Sequence, residues 1–103
     1  MVVIIKRPGE RAEEATIPNT LKALQKAVGG YIETVTMEPV MMVSPIVVIC
    51  NEEGRIRRLP YNCTFGGHQF YGTIIFCGVD DDGDDFADVP LSLEDFYHFV
   101  LRG

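Results

Sequence analysis

The chain has 103 residues, of which 47% are hydrophobic and 23% charged, with a formal net charge of −6. That length allows a single domain over residues 1–103, burying about two-thirds of its unfolded surface around one core, and the composition excludes a largely disordered chain. The acidic balance disfavours direct DNA binding, because like charge repels phosphate, and fits a basic protein partner or a cation instead.

In chain order, MVVIIKR at Met1–Arg7 is short and β-branched and is broken by Pro8 and Gly9, which predicts a first strand and a turn. Its apolar run is too short for a signal segment or a membrane span, so the expectation is a cytoplasmic chain without a membrane attachment. RAEEATI, Arg11–Ile17, predicts a polar edge strand pairing back on the first, with its glutamates guarding the edge. PNTLKALQKAVGG predicts a short helix with Asn19 as cap, an apolar stripe of Leu21, Leu24 and Val28, Lys22 and Lys26 outward, and Gly29 as the stop. A helix this short is marginal alone and must lean on a sheet. YIETVTMEP is rich in strand formers and stops at Pro39. In the next stretch, Met41 and Met42 either cover a core edge or form a sticky surface, which leaves a homodimer open.

IVVICNEEGRIRRLPYN, Ile46–Asn62, predicts a hairpin: a central strand buried on both faces, a turn at Asn51–Gly54, and a polar returning strand. On that strand Arg55 and Arg57 share one face and Arg58 takes the other. CTFGGHQF reads as a glycine-bearing loop and YGTIIFCGV as another buried strand. Then comes GVDDDGDDFADV, Gly78–Val89, and last PLSLEDFYHFVLRG. That final segment predicts a helix capped by Ser92, with Asp95 three residues on and an apolar face of Leu93, Phe96, Tyr97, Val100 and Leu101. There is no internal repeat or linker. The expected fold is α+β, a mainly antiparallel sheet of about five or six strands with two short helices, in the order β-β-α-β-β-β-β-α.

The aspartate run invites a calcium reading. Placing Gly83 at the sixth position of an EF-hand loop puts Asp80 third and Asp82 fifth, but Gly78 then falls first and Val89 twelfth, where ligands are required. A strand, not a helix, precedes it. No metal is expected. The run reads first as a solvated strand-to-helix connection, with Asp88 adding negative charge near the helix N-terminus. It reads second as an acidic contact surface of Asp80, Asp81, Asp82, Asp84 and Asp85.

Cys50, Cys63 and Cys77 are odd in number, widely spaced and partly set in apolar runs, which reads as reduced thiols. Cys63 and His68 form the nearest nucleophile–base pair, but no third group orients them and no zinc-type spacing exists. No phosphate-binding loop is present. The expectation is a protein without catalytic residues or cofactor. Arg55, Arg57 and Arg58 stand close in sequence to Tyr61, Phe65, Phe70 and Tyr71. Arginine with aromatic rings holds a nucleotide or anchors a protein interface, and the bland alternative is pairing with the abundant acids.

TLKALQKAVGGYIETV, VVICNEEGRIRRLPYN, FYGTIIFCGVD and DFADVPLSLEDF, in that order, resemble a family of small uncharacterised proteins. It is a domain of unknown function carried by phages, plasmids and conjugative elements of Gram-positive bacteria. The resemblance covers Leu21–Phe96 and matches at Gly29, Gly30, Tyr31, Asn51, Glu53, Gly54, Pro60, Asn62, Gly72 and Thr73. Gly29 fits a helix stop and Gly54 a hairpin turn. Asn62 and Thr73 are not explained by turns, and they join the three arginines as candidates for ligand or partner binding. The chain departs from the family pattern in MEPVMMVSP, which looks like an insertion, and in the length of the aspartate loop. The resemblance implies an accessory protein of a mobile element that binds a host or element protein, counter-defence such as inhibition of a CRISPR nuclease being one form. That is association by setting and not by site chemistry. The alternative is a module that holds a nucleotide in the Arg55–Thr73 region.

Overall fold

The computed structural model describes residues 1–37 and 45–99. Its elements are β1 (Val2–Lys6), β2 (Glu13–Thr16), α1 (Leu21–Val28), β3 (Ile32–Met37), β4 (Ile46–Asn51), β5 (Tyr61–Phe65), β6 (His68–Tyr71), β7 (Ile74–Val79), β8 (Phe86–Ala87) and α2 (Leu93–Phe99). The main sheet runs β2-β1-β7-β4-β3, with β8 also on β7, and β5 and β6 form a second, two-stranded sheet. Every pairing is antiparallel. The fold is α+β with a mainly antiparallel sheet.

The two continuous apolar runs became the two innermost strands. All six residues of β4 are buried, as are the first five of β7. Alternation sends their side chains to two separate cores. On one face Ile4, Val48, Ile74 and Phe76 pack with Phe70 of β6 and Phe96 of α2. On the other Val3, Ile5, Val47, Ile49, Ile75 and Cys77 pack under Leu24 and Val28 of α1. The domain is therefore three-layered, with α1 on one side of the sheet and α2 with the small hairpin on the other. Among the described residues no helix is long and apolar enough to cross a membrane.

Both helices start at capping hydroxyls, one of them not on the expected residue. Thr20, not Asn19, caps α1: its hydroxyl accepts the Ala23 N–H at 3.2 Å. Asn19 instead donates its amide to the Phe86 carbonyl at 2.9 Å, tying the helix start to β8. Leu21, expected on the apolar stripe, is 58% exposed. Gly29 closes α1 in the left-handed region at φ 79°. Ser92 caps α2, accepting the Asp95 N–H on its hydroxyl at 3.1 Å. The expected contributions of Val100 and Leu101, and of Met41 and Met42, lie outside the described residues.

Three connections differ from expectation. RIRRLPYN is not a strand returning along β4: the chain after Asn51 winds into helical turns, with Arg57 N–H on the Glu53 carbonyl at 2.8 Å and Leu59 N–H on that of Gly54 at 2.9 Å. Both edges of β4 are already taken by β3 and β7, so a polar segment has no place to pair. The expected loop CTFGGHQF is the β5–β6 hairpin. Gly66 and Gly67 stand at φ 57° and 81°, the two successive positive values that a tight type I′ turn demands. The aspartate run is not a direct strand-to-helix link. Asp80 N–H reaches the Asp85 carbonyl at 2.9 Å, closing a β7–β8 hairpin before the chain goes on to α2.

Candidate functional site

Antiparallel register puts the two charged loops at opposite ends of the sheet. β7 begins beside the end of β4 and runs roughly 17 Å, at about 3.3 Å per residue, to the aspartate hairpin. The arginine turn lies at the first end and the acidic loop at the second.

Asn51 builds the arginine end. It is buried, its Nδ2 donates to the Val28 carbonyl at 3.2 Å, and its Oδ1 accepts the Glu53 N–H at 2.8 Å. One side chain thus fastens the end of α1 to the start of the Glu52–Leu59 turn. Gly30 leaves room for this, since a Cβ there would meet Asn51 Nδ2 at 2.8 Å and Arg57 Nη1 at 3.7 Å. The Glu52 N–H also binds the Tyr31 carbonyl at 3.0 Å. The turn so held projects Ile56, 80% exposed, between the exposed Arg55, Arg57 and Arg58. Tyr31, whose carbonyl holds the start of the turn, is 67% exposed. Arg55 lies over the Tyr71 ring at 5.6 Å and donates to Gln69 Oε1 at 3.1 Å, and Tyr61 meets Tyr71 edge-on at 5.7 Å. Arg58 sits at φ 56°, where the turn reverses.

Of the predicted binding residues, Asn62 has a structural task. Its Nδ2 donates to the carbonyls of Lys6 and Gly72, each at 2.8 Å, pinning β5 to the end of β1 and to the approach to β7. Thr73 follows in that approach, half-buried. Arg55 lines a cleft of about 140 Å³, with Glu33, Cys50, His68, Gln69 and Tyr71 among its walls. Small-molecule sites usually enclose about 300–1,000 Å³. Ile56 and Tyr31 become candidates through their exposure in the fold. A strand reading placed Ile56 opposite Arg55 and Arg57, and only the lone apolar residue amid three arginines signalled otherwise.

At the other end Asp80, Asp81, Asp82, Asp84 and Asp85 are all exposed. Asp80 Oδ1 accepts the Asp84 N–H at 2.9 Å, and Asp85 Oδ1 accepts the Phe86 N–H at 2.8 Å, so these carboxylates shape their own turn. Asp88 does not serve the α2 terminus; its Oδ1 takes the Val2 N–H at 2.7 Å. Among the described residues no three His, Cys, Asp or Glu side chains are grouped to hold a metal ion.

The three cysteines are free thiols. Cys63 packs against the core while His68 is exposed, and no hydrogen bond joins them. Burial raises the Cys63 thiol, with Lys6 acting weakly the other way. Burial pushes Cys77 from 9.0 up to about 12, and burial with the nearby Glu33 carboxylate pushes Cys50 to about 11. The folded state then keeps protons that the unfolded chain releases above pH 9. This stabilisation is full below pH 9 and is lost as pH rises toward 11–12. Melting temperatures should therefore fall between about pH 9 and about pH 11, and the slope should shrink in Cys77→Ala; an unchanged slope would overturn this account.

A family model for a domain of unknown function, DUF3846, matches residues 1–99. The chain belongs to the DUF3846 family. The match extends the Leu21–Phe96 resemblance to the N-terminal strands, so β1 and β2 are part of the DUF3846 domain. No curated protein and no solved structure matches the chain.

Proposed function

We propose that this chain is a non-enzymatic protein-binding module that makes contact through the Glu52–Leu59 turn. The observation that carries this is Ile56: a branched apolar side chain, 80% exposed, on a turn fixed by backbone and Asn51 hydrogen bonds. Tyrosine and arginine dominate interface hot spots; here arginines flank the apolar knob along the turn, and one of them, Arg55, stacks on Tyr71. Three arginines at the rim favour an acidic patch on the partner. The narrower reading, an accessory protein of a mobile element that acts in the cytoplasm on a host or element protein, with counter-defence as one form, rests on the family resemblance alone. The nucleotide alternative is supported by the Arg55–Tyr71 stack. The small cleft, with Glu33 in its wall, supports it less.

The test uses the paired change Ile56→Ala and Arg57→Ala. Both side chains are exposed, so the melting temperature should hold while affinity for any captured partner falls about thirtyfold or more. A variant that captures its partner as well as the parent chain would overturn the assignment. Stabilisation of the parent chain by mononucleotides or cyclic nucleotides would favour the alternative.

A further inference from the structure

Among the described residues no strand lies along the outer edge of β3. The opposite edge of the sheet is different: β2 is four residues long and exposes Glu13 and Glu14, the usual guard against pairing. β3 is six residues long. The Tyr31–Glu52 hydrogen bond sets the alternation along the β3–β4 pair, and it turns the N–H and C=O of Thr34 and Thr36 away from β4.

A hollow opens on each face of this edge. On the α1 face Thr34 and Thr36 line a space of about 390 Å³ with Val47 and Phe86, and Asp84 and Asp85 form its acidic wall. On the other face Glu33 and Val35 line the cleft that holds Arg55 and His68. The acidic wall belongs to a chain segment without compensation, for no lysine or arginine occurs in 27–54 or in 59–101.

We propose that β3 accepts an extended, basic peptide segment as an added strand. Main-chain hydrogen bonds to Thr34 and Thr36 hold it, and its side chains enter the two hollows in turn. Lysine or arginine at alternate positions meets Asp84 and Asp85. The inference rests on the protein-binding reading only in taking the ligand to be polypeptide; the surface is the β3 edge, which meets the Glu52–Leu59 turn in the wall of the smaller cleft, at Arg55, and does not include Ile56.

The probe is a fluorescein-labelled peptide of alternating lysine and valine, as long as β3, read by anisotropy on the full chain. It should bind, weaken with added salt, and bind Ile56→Ala as it binds the parent chain. Thr34→Pro removes an outward N–H that β4 does not use, a change an edge strand tolerates, and should weaken binding about tenfold. Asp84→Asn with Asp85→Asn should flatten the salt dependence. Should Thr34→Pro not fold, the same peptide N-methylated at alternate amides supplies the test, since it keeps its charge and loses its strand pairing. Equal binding of the methylated peptide, or of a glutamate–valine peptide, overturns the proposal. So does a dimer that Thr34→Pro dissolves while no peptide binds, which would make a second copy the occupant. None of these outcomes touches the Ile56 assignment, which fails only if the Ile56 and Arg57 changes leave partner capture intact.

Discussion

Replacing Phe96 by alanine lowers the unfolding free energy by about 3–5 kcal/mol. Phe96 is the side chain by which α2 enters the core, fully buried and edge-on to Phe76 with ring centroids 4.6 Å apart. Phe76 lies in the middle of β7, which is hydrogen-bonded on both sides and cannot move into the space left behind. The loss therefore combines the transfer term, an unfilled cavity and an aromatic pair worth about 0.5–1.5 kcal/mol. Domains of this size hold about 5–15 kcal/mol in total, so the variant stands close to the margin. Urea titration followed by circular dichroism measures it. Leu21→Ala is the control, because that side chain is 58% exposed and its loss should stay within about 0.5 kcal/mol. A Phe96→Ala effect no larger than the control would place α2 outside the cooperative core.

Gly78→Ala should destabilise the protein by about 1–3 kcal/mol, although glycine-to-alanine changes in compatible backbone usually stabilise by about 0.4–1 kcal/mol. Here a Cβ would collide with the carbonyl oxygen of Asp88 and would meet Pro90 Cδ at 3.4 Å. The Asp88 segment cannot step aside freely. Val2 donates to the Asp88 carboxylate, Val89 donates to the Val2 carbonyl at 2.8 Å, and Asn19 holds Phe86. Steric conflict with tethered backbone outweighs the entropy gain. Hydrogen exchange at the Val89 amide reports the local effect: it should speed up in the variant before global unfolding. An alanine variant as stable as the parent would show that the β8 strap is loosely held, and would weaken the description of the acidic loop as a fixed hairpin.

The central strands were legible because a short, unbroken apolar run rich in β-branched residues and bounded by turn signals reads as a strand buried on both faces, and Ile46–Cys50 and Ile74–Cys77 are such runs. The reading of RIRRLPYN failed for a reason of the same kind. A polar segment after an apolar strand and a turn looks like a hairpin arm unless one knows that β3 and β7 already occupy both edges of β4. β8 has two residues, too few for any pattern. The strand-pinning task of Asn62 was not legible, because one of its partners, the Lys6 carbonyl, lies 56 residues away, beyond the reach of local reading. The arginines were legible as an exposed basic cluster. The way their turn is fastened to the end of α1 was not, because it depends on Asn51 bonding to Val28 and Glu53 at once.

By itself the sequence determined an acidic α+β domain, its two inner strands, the stop of α1, the cap of α2 and the separation of its basic and acidic stretches. These follow from local physics: periodicity, capping and charge act over a few residues. The tertiary structure alone decided which strands are neighbours, that the arginine turn and the aspartate hairpin lie at opposite ends, and that no strand among the described residues pairs with the outer edge of β3. The physical reason is that burial tells a residue to leave water without naming what it will touch. The pairings that answer that question, such as Ile4 with Phe76 and Val48 with Phe76, join residues far apart in the chain.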